Sequence, residues 1–150
     1  MSQEQIEQNL HRENLTLAPI KKRAVAAFID ELLLSFLLLL SINESFSSAA
    51  NVEEAIALTN HYIVEYLAIK LIYQAFFIHQ YGATLGKIAM KIRVVDSVSF
   101  AKPNILVSLN RSAVRIVSEM IFYIGYLWGA MDPLRQSWHD KSAKTLVINA

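Results

Sequence analysis

The sequence predicts an all-α integral membrane protein with two full transmembrane helices, a third embedded helical block, and a small cytoplasmic layer formed by a loop and the tail. Three observations carry this. Of 150 residues, 54% are hydrophobic and only 18% charged, with a mean hydropathy of +0.33, more apolar than an ordinary globular domain. The apolar residues lie in long blocks, not in short segments alternating with polar ones. The connecting segments differ sharply in their Lys and Arg content, the signature of alternating sides of a bilayer.

Residues 1–19 are polar and lead into the basic cluster Lys21, Lys22, Arg23, which reads as a cytoplasmic tail ahead of a membrane domain over residues 20–150. Residues 24–42 are apolar apart from Asp30, Glu31 and two serines. Roughly 20 residues suffice to cross ~30 Å of hydrocarbon, so this is the first span. A signal peptide would show the same order of basic, apolar and small residues, but two adjacent acids in the apolar stretch and the long tail before it argue against that. Residues 43–60 contain Glu44, Glu53 and Glu54 and no Lys or Arg, whereas residues 82–104 carry Lys87, Lys91, Arg93 and Lys102. Positive charge marks the cytoplasmic side, so the first loop lies outside and the second inside. Residues 61–79 join them as the second span, apolar except for Glu65, Lys70 and Gln74, with tyrosines suited to the interfaces.

The third apolar block, residues 105–131, admits two paths. A single crossing would carry the tail outside, yet the tail holds Arg135, Lys141 and Lys144, which argue for the cytoplasm and a block that turns back, as a re-entrant hairpin or as an amphipathic helix followed by a shorter embedded one. Gly125 and Gly129 could form its turn, or could be the small-residue pair by which two membrane helices approach closely, the basis for an expected homo-oligomer. Ile92, Arg93, Val94 and Val95 form a short β-type run, as do Thr145, Leu146, Val147 and Ile148, and pairing between them would fold the tail onto the second loop.

Charged residues inside apolar blocks are the candidates for function. Arg23 and Asp30 share a helix face but stand about 10 Å apart along the axis, too far to pair. An unpaired carboxylate at that depth costs on the order of 2.5–3.5 kcal/mol, so Asp30 needs a proton, water or a partner. Arg111, Arg115 and Glu119 recur every four residues and offer one. Two readings of Asp30 stand side by side: an exchangeable proton or cation site with a pKa raised by burial, and a fixed ion pair that pins helix register. Glu65 and Lys70 diverge by roughly 140° around their helix and so look to other partners; Glu65 is the second ion-site candidate, on a path shared with Asp30. His61 and Glu65 have the spacing of two metal ligands but lack a third, so no metal is expected. Lys87, Lys91 and Arg93 alternate with apolar residues in a segment suited to anionic headgroups. Asp140, beside His139, braces the returning tail, with Arg93 or Arg111 as charge partner.

The run Arg23-Ala24-Val25-Ala26-Ala27-Phe28-Ile29-Asp30 resembles the opening of the RDD family of bacterial membrane proteins. Gly82 to Lys87, Ile92 to Asp96, Arg111, and Gln136 to Val147 continue the resemblance in order, covering roughly residues 20–148. Under it the family's arginine is Arg23, its first aspartate Asp30 and its second Asp140, with Asp132 the alternative. Lys144 stands where the family tends to have glycine, and Trp138 where a smaller aliphatic is common. The resemblance implies a multi-pass protein of the bacterial inner membrane and, more modestly, transport, since some members look like cation/proton antiporters.

The expected function is therefore exchange of a small cation (Na⁺, Li⁺ or K⁺) with protons, using Asp30 and Glu65 with Arg23, Arg111, Arg115 and Asp140 in support. The alternative is a non-transporting accessory or scaffold subunit of a larger membrane complex. No nucleophile, nucleotide loop or cofactor motif suggests an enzyme, there are no cysteines, and a net charge of +1 gives no footprint for nucleic acid.

Overall fold

A computed structural model describes residues 2–150; Met1, the first residue of the polar tail, lies outside the described residues. The elements in chain order are α1 (Gln3–Arg12), α2 (Ile20–Ser47), α3 (Val52–Tyr81), α4 (Leu85–Ala89), β1 (Ile92–Asp96), α5 (Ile105–Met120), α6 (Ile124–Met131), α7 (Trp138–Ser142) and β2 (Thr145–Asn149).

Both long helices exceed a membrane thickness: at 1.5 Å per residue the 28 residues of α2 and the 30 of α3 run about 42 and 45 Å. Asn51 caps the start of α3 by accepting from the Glu54 amide, and Gly82 ends it in the left-handed region at φ 71°, with its amide donating to Ile78. Most of their apolar side chains face outward: Phe28, Leu32, Phe36 and Leu40 on α2, and Ile56, Val64, Ile72 and Phe76 on α3. Exposed apolar surface on this scale marks a membrane or protein interaction surface. These are two candidate membrane-spanning helices in a mostly helical chain, which is compatible with an all-α membrane protein.

The third block reverses. Neither α5 nor α6 alone, at 16 and 8 residues, reaches the roughly 20 residues of a full span, and the two do not continue as one rod: the helix breaks at Ile121, Phe122 and Tyr123, of which the last two are left-handed at φ 52° and 60°. The hairpin turn is therefore these three residues and not the Gly125/Gly129 pair. A Cβ at Gly125 would overlap the Ser118 hydroxyl and meet Trp138, and one at Gly129 would lie 2.8 Å from the Ser137 hydroxyl. The two glycines let α6 lie against α5 and the segment entering α7, so the chain itself occupies the face that the sequence offered to a second copy.

The return of α6 delivers the tail to the end where α2 begins. There β1 and β2 pair antiparallel, Val94 opposite Val147 and Val95 opposite Leu146. Two strands alone are marginal, but both faces of this ribbon are covered. Ile92, Val94 and Val147 pack on Ala18, Ala26 and Ile78 at the helix ends, while Val95, Leu146 and Ile148 pack on Leu134 and on Ile6 and Leu10 of α1. The polar stretch 1–19 thus contributes a helix to the core instead of forming a separate tail.

α4 is clamped under α2. A Cβ on Gly86 would overlap the Ala26 carbonyl oxygen, and backbone cannot retreat as a side-chain tip can. Gly86→Ala is expected to destabilise the protein by about 1–3 kcal/mol while Gly125→Ala, opposed only by a serine hydroxyl and neighbouring side chains, costs less; thermal unfolding of both variants in detergent gives the order.

Candidate functional site

Three polar clusters occupy the interior, stacked along the bundle. The first joins the tail to the helices. Asp140 has no exposed surface and is ion-paired to two arginines, Arg23 at one oxygen and Arg111 at the other. Its Oδ2 also accepts from the Ser137 amide at 3.0 Å, as half of the capping box that starts α7. Arg23 donates further to the Arg135 carbonyl and to the Ser137 hydroxyl, at 3.1 Å, and Arg111 to the Thr145 hydroxyl, at 3.2 Å. Burial pushes Asp140 up, but Arg23 and Arg111 more than offset it and hold the carboxyl well below its usual range. Arg93, the other partner expected for Asp140, is exposed on β1.

The second cluster surrounds Asp30, also without exposed surface. Its Oδ1 accepts from the Tyr73 hydroxyl and the Gly86 amide, both at 2.8 Å, and its Oδ2 from the Thr84 hydroxyl at 2.6 Å. Arg111, offered by the sequence as its partner, is held by Asp140 instead. Lys87 points inward, not toward headgroups: it is buried, donating to Thr84 at 3.4 Å. Burial, reinforced by Arg115 and Arg111, pulls its ammonium well below the usual lysine range. Lys91 and Arg93 do remain exposed.

The third cluster was not legible as a unit. Lys70 on α3, only 3% exposed, is ion-paired to Glu31 on α2 and to Glu119 on α5. Arg115 holds the other oxygen of Glu119 at 2.9 Å, and Tyr66 donates to Glu31 at 2.8 Å. The Gln74 amide, with its oxygen toward α5, accepts from Arg115 at 3.1 Å, and the Arg115 guanidinium lies 5.6 Å from the Tyr126 ring centre. Glu31 and Lys70 each lie eleven residues from the same end of the bundle, roughly 16 Å of helix from the ends of α2 and α3.

Helical phase explains what sequence reasoning missed. Tyr66, Lys70, Tyr73 and Gln74 fall within about 100° of one another on α3, facing α2 and α5, whereas Glu65 precedes Tyr66 by a further 100°. Glu65 therefore faces away, 56% exposed, with His61 at 3.6 Å, and does not join Asp30. Adjacent acids on α2 must point about 100° apart, so Asp30 and Glu31 enter different clusters. The signal that could have found the third cluster was Lys70, an apolar-block lysine that needed an acid from another helix.

A family model described as RDD family matches residues 17–144 of the chain, most of its length, and no curated protein and no solved structure matches.

Asp140→Asn leaves two arginines buried without their anion and is expected to cost about 3–5 kcal/mol of stability. His139, buried with Tyr126 stacked 5.0 Å away, is held well below its usual pKa by burial, Asp140 only partly offsetting it. It stays neutral in the fold, while the unfolded chain takes up a proton below about pH 6.5. Stability from His139 is therefore complete above that pH and falls as pH drops through it, by at most ~1.4 kcal/mol per unit. A pH series of melting temperatures should show this decline between pH 7 and 5 and its flattening in His139→Gln; the contribution of Asp140, its pKa depressed, is lost only at lower pH, below the unfolded carboxyl value of about 3.9.

Proposed function

The chain belongs to the RDD family, and from that premise we propose that it is a multi-pass protein of the bacterial inner membrane, with both termini cytoplasmic, that exchanges protons for a small monovalent cation. The apolar surfaces of α2 and α3 support their reading as spans, and the Lys and Arg of the loop and tail support the cytoplasmic placement of the β-ribbon end.

The observation that carries the transport reading is Lys70 shared between Glu31 and Glu119. With Arg115 the cluster holds two positive and two negative charges, so loss of the Lys70 proton leaves one negative charge between two carboxylates on different helices. A monovalent cation restores neutrality there, which makes proton release and cation entry equivalent in charge. Ionisable groups at membrane depth are costly, and this cluster is not needed to hold the ribbon end, which Asp140 already ties. Glu31 is 26% exposed on its side chain, an opening for the ion, and the Tyr66 hydroxyl and, further out, the Ser45 and Tyr62 hydroxyls at 3.3 Å extend polar groups beyond it. Asp30, with three donors on its two oxygens, serves in this reading to seal α4 beneath the cluster.

A second reading, a non-transporting subunit of a larger membrane complex, draws on the outer end of α2, where Leu39, Ile42, Asn43 and Ser47 line an open cleft of about 480 Å³ that a helix of another chain could enter.

Sealed proteoliposomes with Na⁺, Li⁺ or K⁺ gradients separate the two. The transport reading expects cation-dependent proton flux that Lys70→Met and Glu31→Gln each reduce at least tenfold, with Asp30→Asn acting mainly through stability. A correctly inserted wild type that moves no protons with any of the three cations would leave the accessory-subunit reading standing.

A further inference from the structure

A cleft of about 170 Å³ lies between the start of α2 and α6. Its walls are largely apolar: Ile20 and Ala24 on one side, Leu127 and Ala130 on the other, with Tyr123 and Tyr126 of the hairpin completing the lining. Arg23 and Ser137 form its floor, but both are committed to the Asp140 network, so the cleft itself offers an incoming molecule mainly hydrocarbon. On the membrane reading given above, on which this inference rests, it opens into lipid at the cytoplasmic end, where a void lined by Leu, Ile and Ala is filled by acyl chain in preference to water.

What marks the site off from ordinary solvating lipid is the charge at its end. Arg23 donates to the Arg135 carbonyl, placing that backbone over the cleft floor, and the Arg135 side chain reaches back to the Leu17 carbonyl at 3.1 Å, three residues before Ile20. Arg135 is exposed and makes no ion pair among the described residues. Lys21, next to Ile20, is likewise exposed and makes no ion pair among the described residues. Two exposed cations without an ion pair among the described residues thus stand next to the cleft's lining in the chain, Lys21 beside Ile20 and Arg135 two residues before Ser137, a charge complementary to a phosphate with a hydrocarbon chain attached.

We propose that this cleft binds one anionic phospholipid, an acyl chain lying between Ala24 and Ala130 and the phosphate held by Lys21 and Arg135. The lipid would complete the contact between α2 and α6, which touch through few side chains of their own at this level, and so stiffen the return of the hairpin.

The test reconstitutes the full chain in vesicles of equal phosphatidylglycerol and phosphatidylcholine, extracts it in mild detergent and counts retained lipids by native mass spectrometry. The expected result is one retained phosphatidylglycerol per chain, favoured roughly ten- to thirtyfold over phosphatidylcholine, the scale set by two basic side chains at an anionic headgroup. Ala24→Phe, or Ala130→Phe from the opposite wall should the first variant fold poorly, fills the slot and abolishes retention. The double variant Lys21→Gln, Arg135→Gln keeps one lipid but loses the preference. Equal retention of both lipids by the wild type, or undiminished retention in the slot-filled variants, overturns the site. A chain that never enters the vesicles overturns the membrane reading along with it, an outcome distinct from an inserted chain that retains nothing.

Discussion

Asp140 is buried between Arg23 and Arg111, and through it three parts of the chain distant in sequence are held in one place: the first turn of α2, the middle of α5 and the start of α7. Each arginine alone would be an uncompensated charge in an apolar bundle, and the carboxylate alone would be worse. Together they are neutral to within one charge and saturate most of their hydrogen-bonding capacity on Ser137, Thr145 and the Arg135 carbonyl. Because this node fixes where the tail lands, it also fixes where β2 meets β1, and hence the ribbon on which α1 packs.

The interior above that node is organised by sharing donors and acceptors among helices. Asp30 takes its donors from α3 and from the segment entering α4, so the loop after the second long helix is drawn in beneath α2 instead of lying on the surface. Gly86 allows this because backbone can then approach backbone. Lys70 joins three helices in the same way, with one ammonium between two carboxylates. The two carboxylates of α2, neighbours in sequence, thereby bind different elements: Asp30 holds α4, and Glu31 holds Lys70 and Tyr66 of α3. The two charged clusters also differ in access, since Asp140 is sealed and Glu31 is not.

Arg23, Asp30 and Asp140, the residues on which the resemblance in the sequence rests, each have a partner outside their own helix. Two of the three meet each other. The third, Asp30, meets hydroxyls and a backbone amide, so the three residues form a set of tethers holding the ribbon end and α4 to α2.

The sequence alone determined where the two long helices lie, because an unbroken apolar block is a local feature, although α2 and α3 overrun the apolar blocks 24–42 and 61–79 at both ends; it also marked the β-branched runs at residues 92–95 and 145–148 as candidates to pair. The charge of Arg135, Lys141 and Lys144 argued for a returning tail but left a single crossing open; the pairing of β2 with β1 brings the tail back to the start of α2. Which charges meet was decided only in the tertiary structure. Spacing along one helix fixes relative angles on that helix, but not how the helices rotate against each other, so Lys70 and Glu119 could be recognised as needing partners without being recognised as partners. The turn at residues 121–123 was hidden for a related reason: no glycine or proline marks it, and two ordinary aromatic residues adopt left-handed backbone there because packing of α6 against Ser118 and Ser137 compensates the strain. Lys87 was misplaced likewise, since a lysine in a basic loop looks solvated until the closeness of Gly86 to Ala26 carries it inside.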